Sequence, residues 1–406
     1  MTDQSRMPVT ALLGANMFFS GVTYAATIPY ASLAGVDTLG LSPALFATIM
    51  AVGSVLATFV SVGLGYISDK LPDRRLLVLM TALAGMVAHG MIFVWPTQAS
   101  FALAMGVIMP VAGACYSQCF GYVRVYYARH RPERADFMVT ALRTVFTIAW
   151  IVVPPLAGWI AAEFNIFNVY LASALSYAAI AGIYAALMRD PATRIEASAP
   201  RRLEGGDWRS SFALQPGILA GLIGLVVMTG GSRLFTFTIP LSIVTDLGGS
   251  LTDVGLYAGI TAAIEVPSLL LLGYLGNRLS KETLLAGAGV VMAVFIGLAS
   301  QIGTVTQLFW LLVLNGLGTA ALMTISLSYV QEAIKDRVGL STSLLDVVAI
   351  AANLLGATAF GVLAAGGDYR FALMVAAVLS VAGAIILALG NTGRLGARQK
   401  AAGARI

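Results

Sequence analysis

The chain has 406 residues, of which 58 % are hydrophobic and 11 % charged, against roughly 25 % charged in soluble domains. Its mean hydropathy is +0.87. A soluble core could not hide that much apolar surface, so these numbers exclude a soluble enzyme or nucleic-acid-binding domain and point to a chain that crosses a membrane many times.

Twelve apolar runs are long enough to span a bilayer, which needs roughly 20 helical residues. They lie at about 9–33, 43–68, 75–95, 99–126, 136–161, 166–188, 217–245, 252–277, 283–302, 305–332, 339–365 and 370–390. The predicted fold class is an all-α membrane protein with 12 transmembrane helices. The stretch after Arg6 runs to full spanning length without a short apolar core and cleavage site, so it reads as the first span rather than a leader. Loops are short and carry turn signals such as Leu71-Pro72-Asp73 and Gly366-Gly367-Asp368. The one long connection, Arg189 to Gln215, is polar and contains Pro191, Pro200, Gly205 and Gly206. It predicts a six-helix bundle at 1–188, a cytoplasmic linker at 189–215, and a second six-helix bundle with a basic tail at 216–406.

With the N-terminus inside, the cytoplasmic segments hold all but four of the 24 Lys and Arg residues. Arg370 alone falls in an outer loop, and Arg124, Arg143 and Arg233 fall inside spans. This is the positive-inside pattern, and it accounts for the net charge of +5 without a nucleic-acid partner. It predicts a multi-pass protein of the plasma membrane (the inner membrane in a two-membrane bacterium) with both termini cytoplasmic.

Polar residues gather on eight of the twelve spans. On the first, Asn16, Ser20, Thr23, Tyr24 and Thr27 share one helical face. The fourth has Gln118, Tyr122 and Arg124; the fifth has Thr140, Arg143, Thr147 and Trp150. The eighth has Tyr257, Thr261, Glu265 and Ser268, the tenth Asn315 and Gln331, and the eleventh Asp346 and Asn353. The second has Ser54, Thr58 and Ser61, and the seventh Thr229, Ser232, Arg233 and Thr236. The third, sixth, ninth and twelfth are poorer, as expected if every third helix faces lipid and the others line a central cavity. His89, on the third, reads as an inert or interhelically bonded residue. Cys115 and Cys119 read as small packing residues, and no disulfide, metal site or cofactor is expected.

Glu265 dominates this list. A carboxylate at membrane depth costs several kcal/mol unless it is paired, wetted or protonated. Burial disfavours its charge and a nearby arginine favours it. Two readings follow: a protonatable switch, or a permanent ion pair that holds two helices together. Arg233 is one partner at similar depth. Asp346 suits a gate ion pair or helix-end packing, and Arg124 suits snorkelling to the interface. The amides Asn16, Gln118, Asn315, Gln331 and Asn353 both donate and accept, as sugar hydroxyls do. Tyr24, Tyr122, Tyr257 and Trp150 could stack on a pyranose ring.

The two halves repeat one another. Ile28-Pro29 matches Ile239-Pro240, Gly65 matches Gly273, Tyr116-Ser-Gln118 matches Tyr329-Val-Gln331, and Arg134 to Arg143 lies over Arg337 to Asp346. Parallel six-helix halves of this kind build the major facilitator superfamily, with the site near the midplane. The stretch Gly65-x-x-x-Asp69-Lys70 with Arg74-Arg75 resembles that superfamily's signature between its second and third helices. The resemblance implies a gate loop made of Gly65, Asp69, Lys70, Arg74 and Arg75, with Asn277 in place of the aspartate in the second half. Ala149-Trp150 through Pro154-Pro155 to Gly158 is similar to the glycine-proline signature of exporters, with Val153 where a glycine is usual. Superfamily packing also implies Arg143 as the first partner for Glu265.

A narrower resemblance is to the sugar efflux transporter family. It rests on Gln118-x-x-Gly-x-x-Arg124, Leu142-Arg143, Ile239-Pro240-Leu241, Ile264-Glu265-Val266-Pro267 and Tyr329-x-Gln331. It implies a monomeric secondary transporter that exports small sugars or glycosides, coupled to protons by antiport with alternating access. Rivals are a multidrug or metabolite proton antiporter of the same fold, and a membrane sugar sensor that moves nothing. An enzyme is not expected, because the loops hold no Ser-His-Asp, Cys-His or metal-spaced cluster.

Overall fold

The structure, a computed structural model, describes residues 9–68, 71, 73–195, 216–333 and 338–403; of 62, 65, 66, 68, 333, 338–343 and 391–403 it describes the backbone alone. Twelve helices among these residues are long and apolar enough to cross a membrane. We number them α1 (Val9–Ala25), α2 (Pro43–Ser68), α3 (Arg74–Val94), α4 (Gln98–His130), α5 (Ala135–Glu163) and α6 (Asn168–Leu187). The second six are α7 (Pro216–Thr245), α8 (Leu251–Leu275), α9 (Lys281–Ala299), α10 (Val305–Ala333), α11 (Val338–Leu363) and α12 (Tyr369–Gly403). Most of the expected spans coincide with these helices to within a few residues.

Local chemistry sets several ends. Asp73 caps α3 by accepting from the Arg75 backbone N–H, Ser280 caps α9 by accepting from Thr283, and Thr97 with Ser100 closes a capping box on α4. The first span departs from expectation. α1 stops at Ala25, and the chain tightens into a 3-10 turn at Ile28–Tyr30 and then a wide π turn at Leu33–Thr38. Pro29 removes a backbone donor there, and the hydroxyls of Thr23 and Thr27 bond back to the carbonyls of Ser20 and Thr23. α4 is also irregular. A π turn at Ala104–Ile108 is followed by a break at Gly113 and Ala114, after which a regular helix runs over Cys115–His130.

The chain divides into two compact units. One comprises Met1–Leu41, Ile49–Arg201 and Ser250–Gly259; the other comprises Ser42–Thr48, Arg202–Gly249 and Ile260–Ile406. Within the first, α1 packs on α5 and α6, and α3 packs on α4 and α6. Within the second, α7 packs on α11 and α12, and α9 packs on α10 and α12. Adding six to each helix of the first set gives the second, so the two units repeat one pairing scheme.

Glycines carry that scheme at matching crossings. A Cβ added to Gly21 of α1 would lie 2.5 Å from the Ala149 Cβ and 2.8 Å from the Phe146 carbonyl of α5. In the second unit, one added to Gly356 of α11 would lie 2.5 Å from the Arg233 Cβ and 2.8 Å from the Gly230 carbonyl of α7. A Cβ added to Gly85 of α3 would lie 2.6 Å from the Tyr177 ring of α6, and one added to Gly289 of α9 would lie 2.8 Å from the Ala384 Cβ of α12. In lipid no hydrophobic force drives helix on helix, so backbone-to-backbone contact at small residues supplies the dispersion energy that holds the crossings.

Candidate functional site

In the second unit, Glu265 stands near the middle of α8 and is half-buried. Thr261, one turn earlier, is buried and accepts a hydrogen bond from Asn315 Nδ2 of α10 at 3.0 Å. Thr319 Oγ1 donates to Asn315 Oδ1 at 3.4 Å. Gly316 lets the two helices meet here, since its added Cβ would lie 2.6 Å from Ile264 Cγ2. Glu265 is therefore carried on a rigid seam, one residue from the contact point. Among the described residues Glu265 forms no ion pair, unlike Asp73 with Arg75 and Glu332 with Lys281.

Arg233, of the same unit, packs its Cβ against Gly356 and keeps its side chain accessible. Asn353 lies three residues before Gly356, on the same face of α11, and is half-buried. Tyr257 is half-buried on α8; Gln331 and Asp346 are exposed near the end of α10 and the start of α11.

In the first unit, Asn16 is fully buried and its Oδ1 accepts from Cys119 Sγ at 3.3 Å. Tyr24 is half-buried, and its hydroxyl donates at 3.0 Å to Gly113 O, the carbonyl at the break in α4. Tyr122 is buried and donates to Thr193 O at 2.7 Å. The hydroxyls of both tyrosines thus hold main chain in this structure. Gln118 and Trp150 are half-buried, and Arg124 and Arg143 are exposed.

The expected gate residues divide. Asp69 and Lys70 lie outside the described residues, and Gly65 is described by its backbone alone, in α2. Arg75 is 3 % exposed and anchors a corner. Its guanidinium pairs with Asp73 at 2.7 Å and donates to Leu187 O at 2.6 Å, Asp190 O at 3.0 Å and Thr193 Oγ1 at 2.7 Å. It therefore caps the last carbonyl of α6, Leu187 O, and ties the first residues after that helix to the start of α3. Partial burial pushes the Asp73 carboxyl up. The side-chain and backbone hydrogen bonds from Arg75, with the charges of Arg75 and Arg194, outweigh that and hold it below the usual carboxylate range.

Two features go beyond the sequence reading. Asp73 is the acceptor on which Arg75 rests; its signal was its place before an apolar helix, where an N-cap is expected. The other is a set of buried aromatics on α6; His89 of α3, read as inert or interhelically bonded, does bond across helices, through Nδ1 to Ser173 Oγ of α6 at 2.7 Å.

Comparison with known proteins fits this architecture. The family model for the Major Facilitator Superfamily matches residues 13–237 and again 221–405. The chain belongs to the major facilitator superfamily. Among curated members it is similar to a putative sugar efflux transporter of Deinococcus radiodurans, 27 % identical over 87 % of this chain and 90 % of the relative. It is similar to sugar efflux transporter B of Salmonella typhimurium (26 %, over 91 % and 93 %) and to sugar efflux transporter C of Escherichia coli (27 %, over 80 % and 82 %). Among solved structures, the nucleoside transporter NupG superposes with a TM-score of 0.75 at 12 % identity, covering 95 % of this chain and 99 % of that one. A peptide transporter superposes with a TM-score of 0.74 at 13 % identity, covering 97 % and 96 %. At such identities these superpositions speak for the major facilitator fold alone.

Proposed function

We propose that this major facilitator protein exports small sugars or sugar-like glycosides across the plasma membrane, by proton antiport with alternating access. The observation that carries the sugar reading is the similarity to sugar efflux transporters over four-fifths or more of both chains. The physical support is the mix of side chains. Neutral amides at Gln118 and Asn353, and the ring of Trp150, suit a polar uncharged ligand with apolar ring faces better than a hydrophobic cation. The two six-helix halves, 1–188 and 216–406 joined by 189–215, supply the moving parts.

Glu265 carries the proton in this proposal. It is half-buried at mid-span and outside any ion pair among the described residues, so its charge is not locked. Sugar release is followed by protonation of Glu265, and the proton leaves on the inner side before the next sugar binds. Arg143 and Arg233 are the cations that hold the carboxylate when it is charged.

The test is uptake of labelled lactose or a thio-galactoside into inside-out vesicles, with and without a pH gradient, acid inside, for wild type and Glu265→Gln. Gradient-driven accumulation that Glu265→Gln abolishes, with counterflow exchange retained, is the expected result. No sugar flux from vesicles that contain folded protein overturns the sugar reading and favours a drug or metabolite antiporter. Sugar binding without flux favours a sensor.

A further inference from the structure

α2 and α8 are each divided between the two compact units. Ser250–Gly259, which includes the first turns of α8, belongs to the first unit, and the helix from Ile260 onward belongs to the second. In α2 the division is reversed: Ser42–Thr48 belongs to the second unit and the helix from Ile49 onward to the first. The distribution of Lys and Arg puts both of these ends on the outer side. In the first unit the end of α8 lies backbone to backbone on α5. A Cβ added to Gly158 would lie 2.6 Å from Leu251 O. One added to Gly259 would lie 2.8 Å from Ile151 O, a carbonyl that Pro155 leaves without its helical donor. One added to Gly255 would run into Pro154 O.

Tyr30 is set into this crossing. It closes the 3-10 turn that contains Pro29, and it is fully buried. Its hydroxyl donates to Pro154 O at 2.9 Å. Cβ atoms added to Gly158 and Gly255 would lie 2.7 Å and 2.6 Å from that hydroxyl. The hydroxyl therefore fills a slot between two glycines on two helices. The hydrogens that these glycines carry in place of side chains point at oxygen: Leu251 O and the Tyr30 hydroxyl for Gly158, Pro154 O and the same hydroxyl for Gly255. Cα–H···O contacts of this kind are weak one by one.

The duplicated crossing in the second unit has no such slot. The alignment of the halves puts Gly361 of α11 in the place of Gly158, and Pro43-Ala44 of α2 in the place of Leu251-Thr252. The contacts correspond: a Cβ added to Gly158 would lie 3.0 Å from Thr252 Cα, and one added to Gly361 would lie 3.3 Å from Ala44 Cα. Yet Ala47 stands where the first crossing has Gly255, and Leu241 where it has Tyr30. The end of α2 is packed by rings instead, Phe46 lying 5.7 Å from Phe237 and 5.5 Å from Phe360 between centroids. A hydroxyl with room cleared on both sides is thus a property of one copy and not of the shared fold. We propose that Gly158, Gly255 and the Tyr30 hydroxyl form a detachable clasp, which the end of α8 leaves each time the carrier opens outward. This rests on the alternating-access reading above. Detachment bares a hydroxyl and backbone carbonyls, which water satisfies, so the clasp opens at lower cost than the aromatic contact of α2. The glycine contacts exist in the closed state alone, and an interaction shifts an equilibrium only when it differs between the two states.

The test is the distance between spin labels on Glu163→Cys and Thr245→Cys in the purified full-length protein. Both positions are exposed, at the ends of α5 and α7, and the native Cys115 and Cys119 are buried. Pulsed dipolar spectroscopy separates a short, closed population from a long, open one. Gly255→Ala, whose methyl group does not fit against Pro154 O, should raise the ratio of open to closed by about tenfold or more. Tyr30→Phe removes the oxygen that both glycines meet and should raise it by about two- to fivefold. Gly287→Ala, which meets no neighbour, should leave it unchanged. A ratio that is the same in wild type, Gly255→Ala and Tyr30→Phe overturns the clasp, as does an equal rise in Gly287→Ala. If Gly255→Ala fails to fold, Tyr30→Phe and Gly158→Ala, whose methyl would meet Leu251 O from the other helix, carry the test. Sugar flux in vesicles separates this from the reading it rests on. An unshifted ratio with normal flux overturns the clasp and leaves the transporter. A shifted ratio in a protein that moves no sugar supports the clasp and overturns the sugar reading.

Discussion

Replacing Arg75 by leucine should collapse one corner of the first unit. The side chain is 3 % exposed and joins Asp73, Leu187 O, Asp190 O and Thr193 Oγ1. Each charge-assisted bond is worth roughly 1.5–3 kcal/mol, but the bonds share one guanidinium and do not add. Removing one partner of a buried pair costs about 3–5 kcal/mol, because the remaining groups keep their desolvation without compensation. For a unit of some 200 residues, about 2–4 °C accompanies each kcal/mol. The midpoint should therefore fall by at least about 6 °C. The true shift is larger if helices persist in the denatured state, because less entropy then accompanies unfolding. The assay is thermal unfolding in detergent, read as loss of the monodisperse peak on size exclusion. Arg75→Lys keeps the charge but not the planar fork, so it should fall between. Thr193→Val removes one acceptor and should cost only about 1 kcal/mol. An Arg75→Leu protein that expresses normally and melts within about 1 °C of wild type would show that the corner is ornamental.

Other perturbations follow from the same contacts. Asp73 titrates below the usual carboxylate range when folded, so its stabilisation is present above about pH 4 and is lost as pH falls through the folded-state value; the acid side of the melting profile should be flatter in Asp73→Asn than in wild type. Gly85→Leu must push into the Tyr177 ring and should lower the yield of folded protein, whereas the same change at Gly287, which meets no neighbour, should be tolerated. Lys281→Ala removes a pair whose partners are 35 % and 49 % exposed and should shift stability by less than about 1 kcal/mol in double-mutant cycles with Glu332→Ala.

The bilayer makes the outline of this fold legible and the orientation of its side chains less so. Length and apolarity of each run decide a span, because every backbone group must be satisfied within the helix. The duplication is visible for a related reason: Gly21 and Gly230, or Gly85 and Gly289, sit at equivalent crossings, and a crossing tolerates few residue types. Which way a polar side chain faces is a different matter. Tyr24 and Tyr122 read as ligand-facing aromatics, yet their hydroxyls bond Gly113 O and Thr193 O. The first of those acceptors exists because α4 breaks; Pro110, three residues before Gly113, is the sequence signal of that break, and it does not say which side chain takes up the freed carbonyl. The α6 tyrosines were hidden by their own chemistry: a buried tyrosine looks apolar by composition, and its oxygen matters only once its neighbours are known. His89 had no sequence partner at all, since Ser173 is 84 residues away.

One prediction separates the two readings of Glu265 without any transport. A permanent ion pair and a protonatable switch differ in what the carboxylate contributes to the folded state. If Glu265 is a fixed partner of Arg143 or Arg233, replacing it by glutamine leaves that cation without its partner at membrane depth and should cost several kcal/mol. If Glu265 takes up and releases a proton during the cycle, its charged form cannot be held that firmly. A half-buried charge outside any ion pair carries a desolvation penalty that the neutral amide does not. Glutamine keeps the shape and most of the hydrogen-bonding capacity, so Glu265→Gln should then leave the melting midpoint unchanged or raise it near neutral pH. The measurement is thermal unfolding of both proteins in detergent across pH 5 to 8. A Glu265→Gln midpoint at least about 6 °C below wild type throughout that range would make the residue a structural partner and remove it from the proton path.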